Sequence, residues 1–190
     1  MILSRTGASM DTKYIFANAL KTCMKKSPYE KITVKDITDT CNLSRQTFYR
    51  HFLDKQDLVN WYFDKILQES FQHMGEGKTI YEALLKKFSF ILQEKLFFKA
   101  AFQNDEQNNL RDHDFELIFS FYSNLIQSKT KRPLSSILRF QLEMYCQASI
   151  YMTVKWLLED TPISPADLAE LLCDAMPPEV QKAFVSIDLL

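Results

Sequence analysis

Glycine is almost missing: the 190 residues hold three, Gly7, Gly75 and Gly77. Glycine lets a backbone turn tightly or approach a phosphate closely, so phosphate-cradling loops, dinucleotide fingerprints and turn-rich β-sandwiches are excluded. Cysteine is sparse as well. Cys23, Cys41, Cys146 and Cys173 form no C-x-x-C pair and show no zinc-finger spacing, and they read as reduced, mostly buried thiols of a cytoplasmic protein. No apolar run approaches the roughly 18 residues that span a bilayer. Met1 to Met10 also lack the apolar stretch of a signal peptide, so the expectation is a chain neither exported nor embedded in a membrane. Neither sign of charge dominates, with 23 Lys and Arg against 24 Asp and Glu. Taken alone, that balance argues against a nucleic-acid binder.

What is present is the composition of an ordinary globular protein, 46% hydrophobic and 25% charged, of a length suited to one or two compact units. The charge is unevenly placed. Residues 1–60 carry a net +4 and residues 61–190 a net −5, an asymmetry that fits a basic head facing a polyanion without proving one.

The apolar spacing is helical throughout. Ile15, Phe16, Ala19, Leu20, Cys23 and Met24 mark a helix over Asp11 to Lys26, ended by Ser27-Pro28. Thr33 with Asp36 resembles a capping box and opens a short helix with Val34, Ile37 and Cys41 on its buried stripe. After the turn Cys41-Asn42-Leu43, Ser44 is a good N-cap for Arg45 to Phe52, where Phe48 and Phe52 share one face and Arg45, Gln46, Tyr49 and Arg50 point outward. Asp54 caps a fourth helix that runs to about Phe71, with no break after the basic segment.

Further helices are expected around Ile80 to Leu92, Leu96 to Phe102 and Asp114 to Lys129, separated by polar stretches at His73 to Lys78 and Gln103 to Asn109. Ser135 to Glu159 is apolar nearly all round, as in a helix buried on more than one side. Pro165 opens a final amphipathic helix to Met176, closed by Pro177-Pro178. Asp112-His113-Asp114 reads as a polar turn capping a helix rather than a metal site. Eight of the fifteen phenylalanines fall between Phe88 and Phe121; they suit a filled helical core better than an effector pocket, and no ligand-binding residue is assigned. No cofactor or metal is called for, and no catalytic motif is present.

Two short helices joined by a tight turn, with a supporting helix before them, form a helix-turn-helix, whose second helix enters the DNA major groove. The run Lys31-Ile32-Thr33-Val34-Lys35-Asp36-Ile37, then Leu43 to Phe52 with Thr47-Phe48-Tyr49-Arg50-His51-Phe52, then Asp54-Lys55 and Leu58, resembles the N-terminal domain of the TetR family of bacterial transcription regulators. The resemblance covers about residues 10–60. It implies an all-α fold: a three-helix DNA-binding domain over residues 1–60, then a larger helical regulatory, ligand-binding and dimerisation domain over residues 61–190. Arg45, Gln46 and Tyr49 are then expected at base edges. Thr33, Thr47, His51 and Lys55 are expected at phosphates of double-stranded DNA; Arg50 suits either role and is grouped with the phosphate set. Homodimerisation is expected through helices near 135–159 and 165–176.

A finer resemblance lies in Met1-Ile2-Leu3-Ser4-Arg5-Thr6 and the run from Leu43 to Trp61, which look like the TetR-type activators of dihydroxyacetone kinase operons in Firmicutes. In that subgroup the partner is a kinase-like co-regulator protein; elsewhere in the family it is a small-molecule effector. Two rival readings stand against it. A helical interaction protein would touch DNA only weakly and without sequence preference, and a small helical enzyme would hold a buried cluster of ionisable groups in its C-terminal part.

Overall fold

The computed structural model describes residues 6–72, 78–103 and 109–190, with side chains from Thr12 onward. The described residues are all-α: α1 Thr6–Met24, a 3-10 turn Tyr29–Lys31, α2 Val34–Cys41, α3 Arg45–Tyr49, α4 Lys55–Phe71, α5 Ile80–Gln93, α6 Lys95–Gln103, α7 Leu110–Thr130, α8 Ser136–Leu158, α9 Pro165–Asp174 and α10 Pro178–Val185. No described helix is long and apolar enough to cross a membrane. The polar stretches expected to separate helices fall largely on residues 73–77 and 104–108, outside the described residues.

By packing, the chain divides into two compact units, Met1–Lys65 with Leu96–Asn108, and Ile66–Lys95 with Asn109–Leu190. A split at residue 60 follows the basic sequence; packing follows the aromatics instead. Phe97 and Phe98, on α6, lie 5.2 Å from Tyr62 and 5.6 Å from Phe63, both on α4. Phe102 joins them at 6.1 Å from Phe63. Phe88 belongs to the second unit, against Trp156 at 5.8 Å. Of the phenylalanine-rich stretch, Phe88, Phe97, Phe98 and Phe102 are therefore core, Phe88 in the second unit and the other three in the first, while Phe90, Phe115, Phe119 and Phe121 are half-buried.

Helix ends follow local chemistry. Thr79 and Glu82 form a capping box at α5, as do Ser164 and Asp167 at α9, and Ser135 caps α8 by accepting from Leu138 N. Two expectations need correcting. Asp112-His113-Asp114 is no turn: α7 begins at Leu110, four residues earlier than the apolar spacing suggested, with Asn109 as its N-cap in the left-handed region. And α9 is not the last helix. Pro178 stands in the first turn of α10, where its missing N–H costs nothing, and Val180, Phe184 and Ile187 fill one buried face.

The second unit also buries an ion pair. Lys87 on α5 donates to both carboxylate oxygens of Asp114 on α7, at 3.2 and 3.1 Å, with side-chain exposures of 4% and 1%. Both residues sit inside apolar stripes, Lys87 beside Phe88 and Asp114 beside Phe115, which is the sequence signal that a pattern search for metal ligands passes over. Tying α5 to α7 this way is worth little net, because desolvating both charges offsets their attraction. Breaking it is costly. Lys87→Met is expected to lower stability by about 3–5 kcal/mol by leaving the carboxylate buried without its ammonium, and Lys87→Met with Asp114→Leu to recover most of that loss. Urea unfolding at neutral pH checks this; equal costs for the single and double variants would rule the pairing out as the cause.

Candidate nucleic-acid interface

The first unit is organised around α3, a helix of five residues. Three local devices set it up. Thr33 Oγ1 accepts from Asp36 N at 3.2 Å while the Asp36 carboxylate accepts from Thr33 N and Oγ1 at 2.8 and 2.7 Å, a capping box that starts α2. Those bonds hold the Asp36 carboxyl below its ordinary value of 3.8. Asn42 then ends α2 in the left-handed region at φ 54°, with Leu43 N donating to Thr38 O at 3.1 Å, the bond that closes a Schellman turn. Ser44 caps α3 by accepting from Thr47 N at 3.0 Å.

Packing then fixes which way α3 faces. Phe48 is fully buried and Phe52 nearly so, with Phe48 edge-on to Phe16 of α1 at 5.2 Å and Phe52 edge-on to Trp61 of α4 at 5.7 Å. With that face inward, Arg45, Gln46, Tyr49 and Arg50 are exposed together on the opposite side. Tyr49 is 57% exposed while its ring leans edge-on against Phe48 at 5.5 Å, which holds it without hiding it. A cation and an amide donor beside an aromatic edge form the kind of set that reads base edges.

The expected phosphate contacts fare differently from one another. Thr47 lies at the start of α3 with its hydroxyl 2.9 Å from that of Ser44. His51 is half-buried, its ring 6.4 Å from Phe16 and 6.5 Å from Phe52. Arg50 is exposed at the C-terminal end of α3. The Thr33 hydroxyl donates to Asp36, so an anion arriving there meets a carboxylate already bound; the N–H groups of Val34 and Lys35 remain the donors without a carbonyl behind them. Lys55 departs most from expectation. It is only 9% exposed, its Nζ donates to Tyr29 O at 2.7 Å and Ile32 O at 2.9 Å, and it lies 4.0 Å over the Tyr29 ring. Burial pulls its ammonium below the usual lysine range, while Glu30 acts in the opposite direction.

Other cations of this segment have partners within it, Lys35 at the surface. Lys13 lies over Phe52 and Trp61 at 5.0 and 5.3 Å, Lys21 donates to the Tyr62 hydroxyl at 3.1 Å, and Lys35 bonds Asp39 at 2.9 Å. Among the described residues, the exposed cations of the segment are Arg45 and Arg50 on α3 together with Lys25, Lys26, Lys31 and the surface-paired Lys35. The cysteines are free: Cys23 and Cys146 are buried, Cys41 and Cys173 half-buried. Burial pushes the thiols of Cys146 and Cys173 up to about 12 and about 11. Among the described residues, no group of three His, Cys, Asp or Glu is placed to hold a metal ion.

Known proteins resemble this chain in sequence and fold. Residues 18–61 match the family model of bacterial regulatory proteins of the tetR family, and residues 78–177 match the TetR model for a transcriptional regulator C-terminal region. The HTH-type dhaKLM operon transcriptional activator DhaS of Lactococcus lactis is 29% identical over 98 residues, 52% of each chain. An HTH-type transcriptional regulator of Staphylococcus aureus strain USA300 is 30% identical over 108 residues, 52% of this chain and 58% of its own. The chain thus spans about half the length of the curated relatives it matches. In fold, it superposes on the solved structure of a dihydroxyacetone kinase operon activator, DhaS, with a TM-score of 0.62 and 20% identity, covering 94% of this chain and 97% of that one. The matched families and relatives are transcriptional regulators, not enzymes.

Two outcomes test the local geometry. Asn42→Val is expected to destabilise the first unit by about 1–2 kcal/mol, the cost of a left-handed β-branched residue, and Asn42→Gly to leave it unchanged or better; thermal unfolding of both would reveal a turn with other dihedrals if valine is tolerated. Because the folded-state value of Asp36 is depressed, its stabilisation is complete above 3.8 and is lost as pH falls through the lower folded value. Asp36→Ala is therefore expected to melt below the parent protein at neutral pH, the gap closing as pH falls below 3.8 through the lower folded value. A gap independent of pH would assign the loss to something other than the ionised cap.

Proposed function

Because the chain belongs to the TetR family of bacterial transcriptional regulators, we propose that it works as a cytoplasmic homodimer that reads a palindromic operator. The observation that carries this is the outward set on α3, Arg45, Gln46, Tyr49 and Arg50, held over a buried Phe48. In this reading residues 1–60 read DNA and residues 61–190 regulate and dimerise. Arg45 makes paired bonds to guanine, Gln46 and Tyr49 reach neighbouring base edges, and Thr47, Arg50, His51 and the N-terminus of α2 beside Thr33 meet phosphates. Lys55 leaves the phosphate set.

Self-association is supported by an apolar row on α8. Ile137, Phe140, Met144 and Tyr151 follow one another at helical spacing and are 62%, 69%, 49% and 66% exposed, with Leu171 of α9 at 57%. Side chains of this size in a row are covered in a stable protein, and a twofold contact of two helices from each copy covers them. Two such copies set a pair of α3 helices against successive major grooves.

Control is proposed to come through a protein. The similarity to activators of the dhaKLM and dihydroxyacetone kinase operons supports activation of such an operon with a kinase-like co-regulator. Among the described residues of the second unit, a cavity bordered by Lys87, Tyr122, Cys146, Ser149 and Thr153 measures about 20 Å³, room for one water, and an open cleft bordered by Ile126, Pro133, Leu138 and Ala183 measures about 540 Å³; the choice of a protein partner rests on the similarity, not on cavity size. A co-regulator acts by preferring one of two states of the dimer; binding both equally would change nothing.

The test is selection from a random duplex library at low and near-physiological salt, with Arg45→Ala alongside. The parent protein is expected to enrich a palindrome, and Arg45→Ala to lose about 1–3 kcal/mol of discrimination at one base pair of each half-site. Retention without enrichment would favour a non-specific interaction protein, and indifference to Arg45→Ala would remove α3 from base reading.

A further inference from the structure

Lys55 is the first residue of α4, yet its ammonium is aimed away from solvent into the segment that precedes α2. Tyr29 O already accepts from Ile32 N at 3.1 Å to close the 3-10 turn, and the ammonium adds a second bond there and a first at Ile32 O. Tyr29 is 2% and Ile32 4% exposed, and the Tyr29 ring covers another side of the ammonium at 4.0 Å. Turning the side chain out to meet a phosphate would strip Ile32 O of this donor inside the unit, and a buried carbonyl left without a partner is costly.

The next residue after Ile32 is Thr33, the N-cap from which α2 starts, and α2 leads through the Asn42 turn to α3. We infer that Lys55 is a positioning residue for operator reading: its ammonium, bound by Tyr29 O and Ile32 O, fixes the turn that sets the start of α2 and hence the placement of α3, and makes no phosphate contact. This rests on the proposed reading of DNA by α3. The compact ammonium suits two carbonyls converging beneath a ring; a planar guanidinium with its wider fork does not fit the same space.

The experiment uses the full-length chain with Lys55→Met and Lys55→Arg, at a temperature where circular dichroism shows each variant fully helical. Affinity for the duplex enriched from the library and for a scrambled duplex is measured against salt, and amide hydrogen exchange is followed from Ile32 to Asp36. The expected result is at least about a tenfold loss of affinity for the enriched duplex in both variants, little change for the scrambled one, and an unchanged salt slope. Exchange at the hydrogen-bonded amides of Ile32, Thr33 and Asp36 should rise several-fold in both, which reads the brace without DNA. A slope reduced by about 0.9 for each half-site in Lys55→Met, with binding kept in Lys55→Arg, would assign Lys55 to a phosphate and overturn the inference. So would unchanged exchange, or equal losses on both duplexes, which mark general destabilisation. If the parent protein enriches no duplex, the proposed function fails instead, and the exchange measurement alone decides whether Lys55 braces the turn.

Discussion

A helix of five residues cannot hold itself together in water, where isolated helices shorter than about 12–15 residues are marginal. That α3 exists depends on one buried ring. Phe48, fully buried against Phe16 of α1, turns a fragment of chain into a helix by giving it a side it must keep inward. Everything asked of the exposed face follows from that burial, since fixing Phe48 fixes where Arg45, Gln46 and Tyr49 point. The Ser44 cap and the Asn42 turn contribute at the entrance of α3, and Phe52 with Trp61 at its exit.

The polar groups obey a matching rule: where the backbone runs short of partners, a side chain supplies them. Thr33 with Asp36, Thr79 with Glu82 and Ser164 with Asp167 do so at three helix starts. Lys55 does so for the carbonyls of a 3-10 turn. The consequence for electrostatics is that a count of charges misjudges the surface. Lys13, Lys21 and Lys55 belong to the interior bonding of the basic segment, and Lys87 with Asp114 to that of the second unit.

Much of this was legible in the sequence because it is local. Capping at Thr33 and Ser44, the turn at Asn42, the inward pair Phe48 and Phe52 and the outward face of α3 all follow from spacing within a few residues. Ser135 to Glu159 was likewise readable as a helix with apolar character beyond one face, and α8 shows it. What escaped depends on contacts between distant parts of the chain. Nothing near Lys55 signals that its partners lie at Tyr29 and Ile32, and nothing near Phe97 and Phe98 signals that they join Tyr62 and Phe63. α10 was missed for another reason: a Pro-Pro pair closes one helix as readily as it opens the next, and only the Val180, Phe184 and Ile187 spacing tells the two apart.

The first unit is assembled from two stretches of chain, residues 1–65 and 96–108, with α5 inserted between them in sequence. Such a unit is not a cassette. Recombination that joined residues 1–60 of one regulator to the remainder of another would bring foreign aromatics to the place where Phe97, Phe98 and Phe102 meet Tyr62 and Phe63. Exchange of heads between relatives is therefore constrained by α6 as much as by α3, and the two are expected to travel together when such genes diverge.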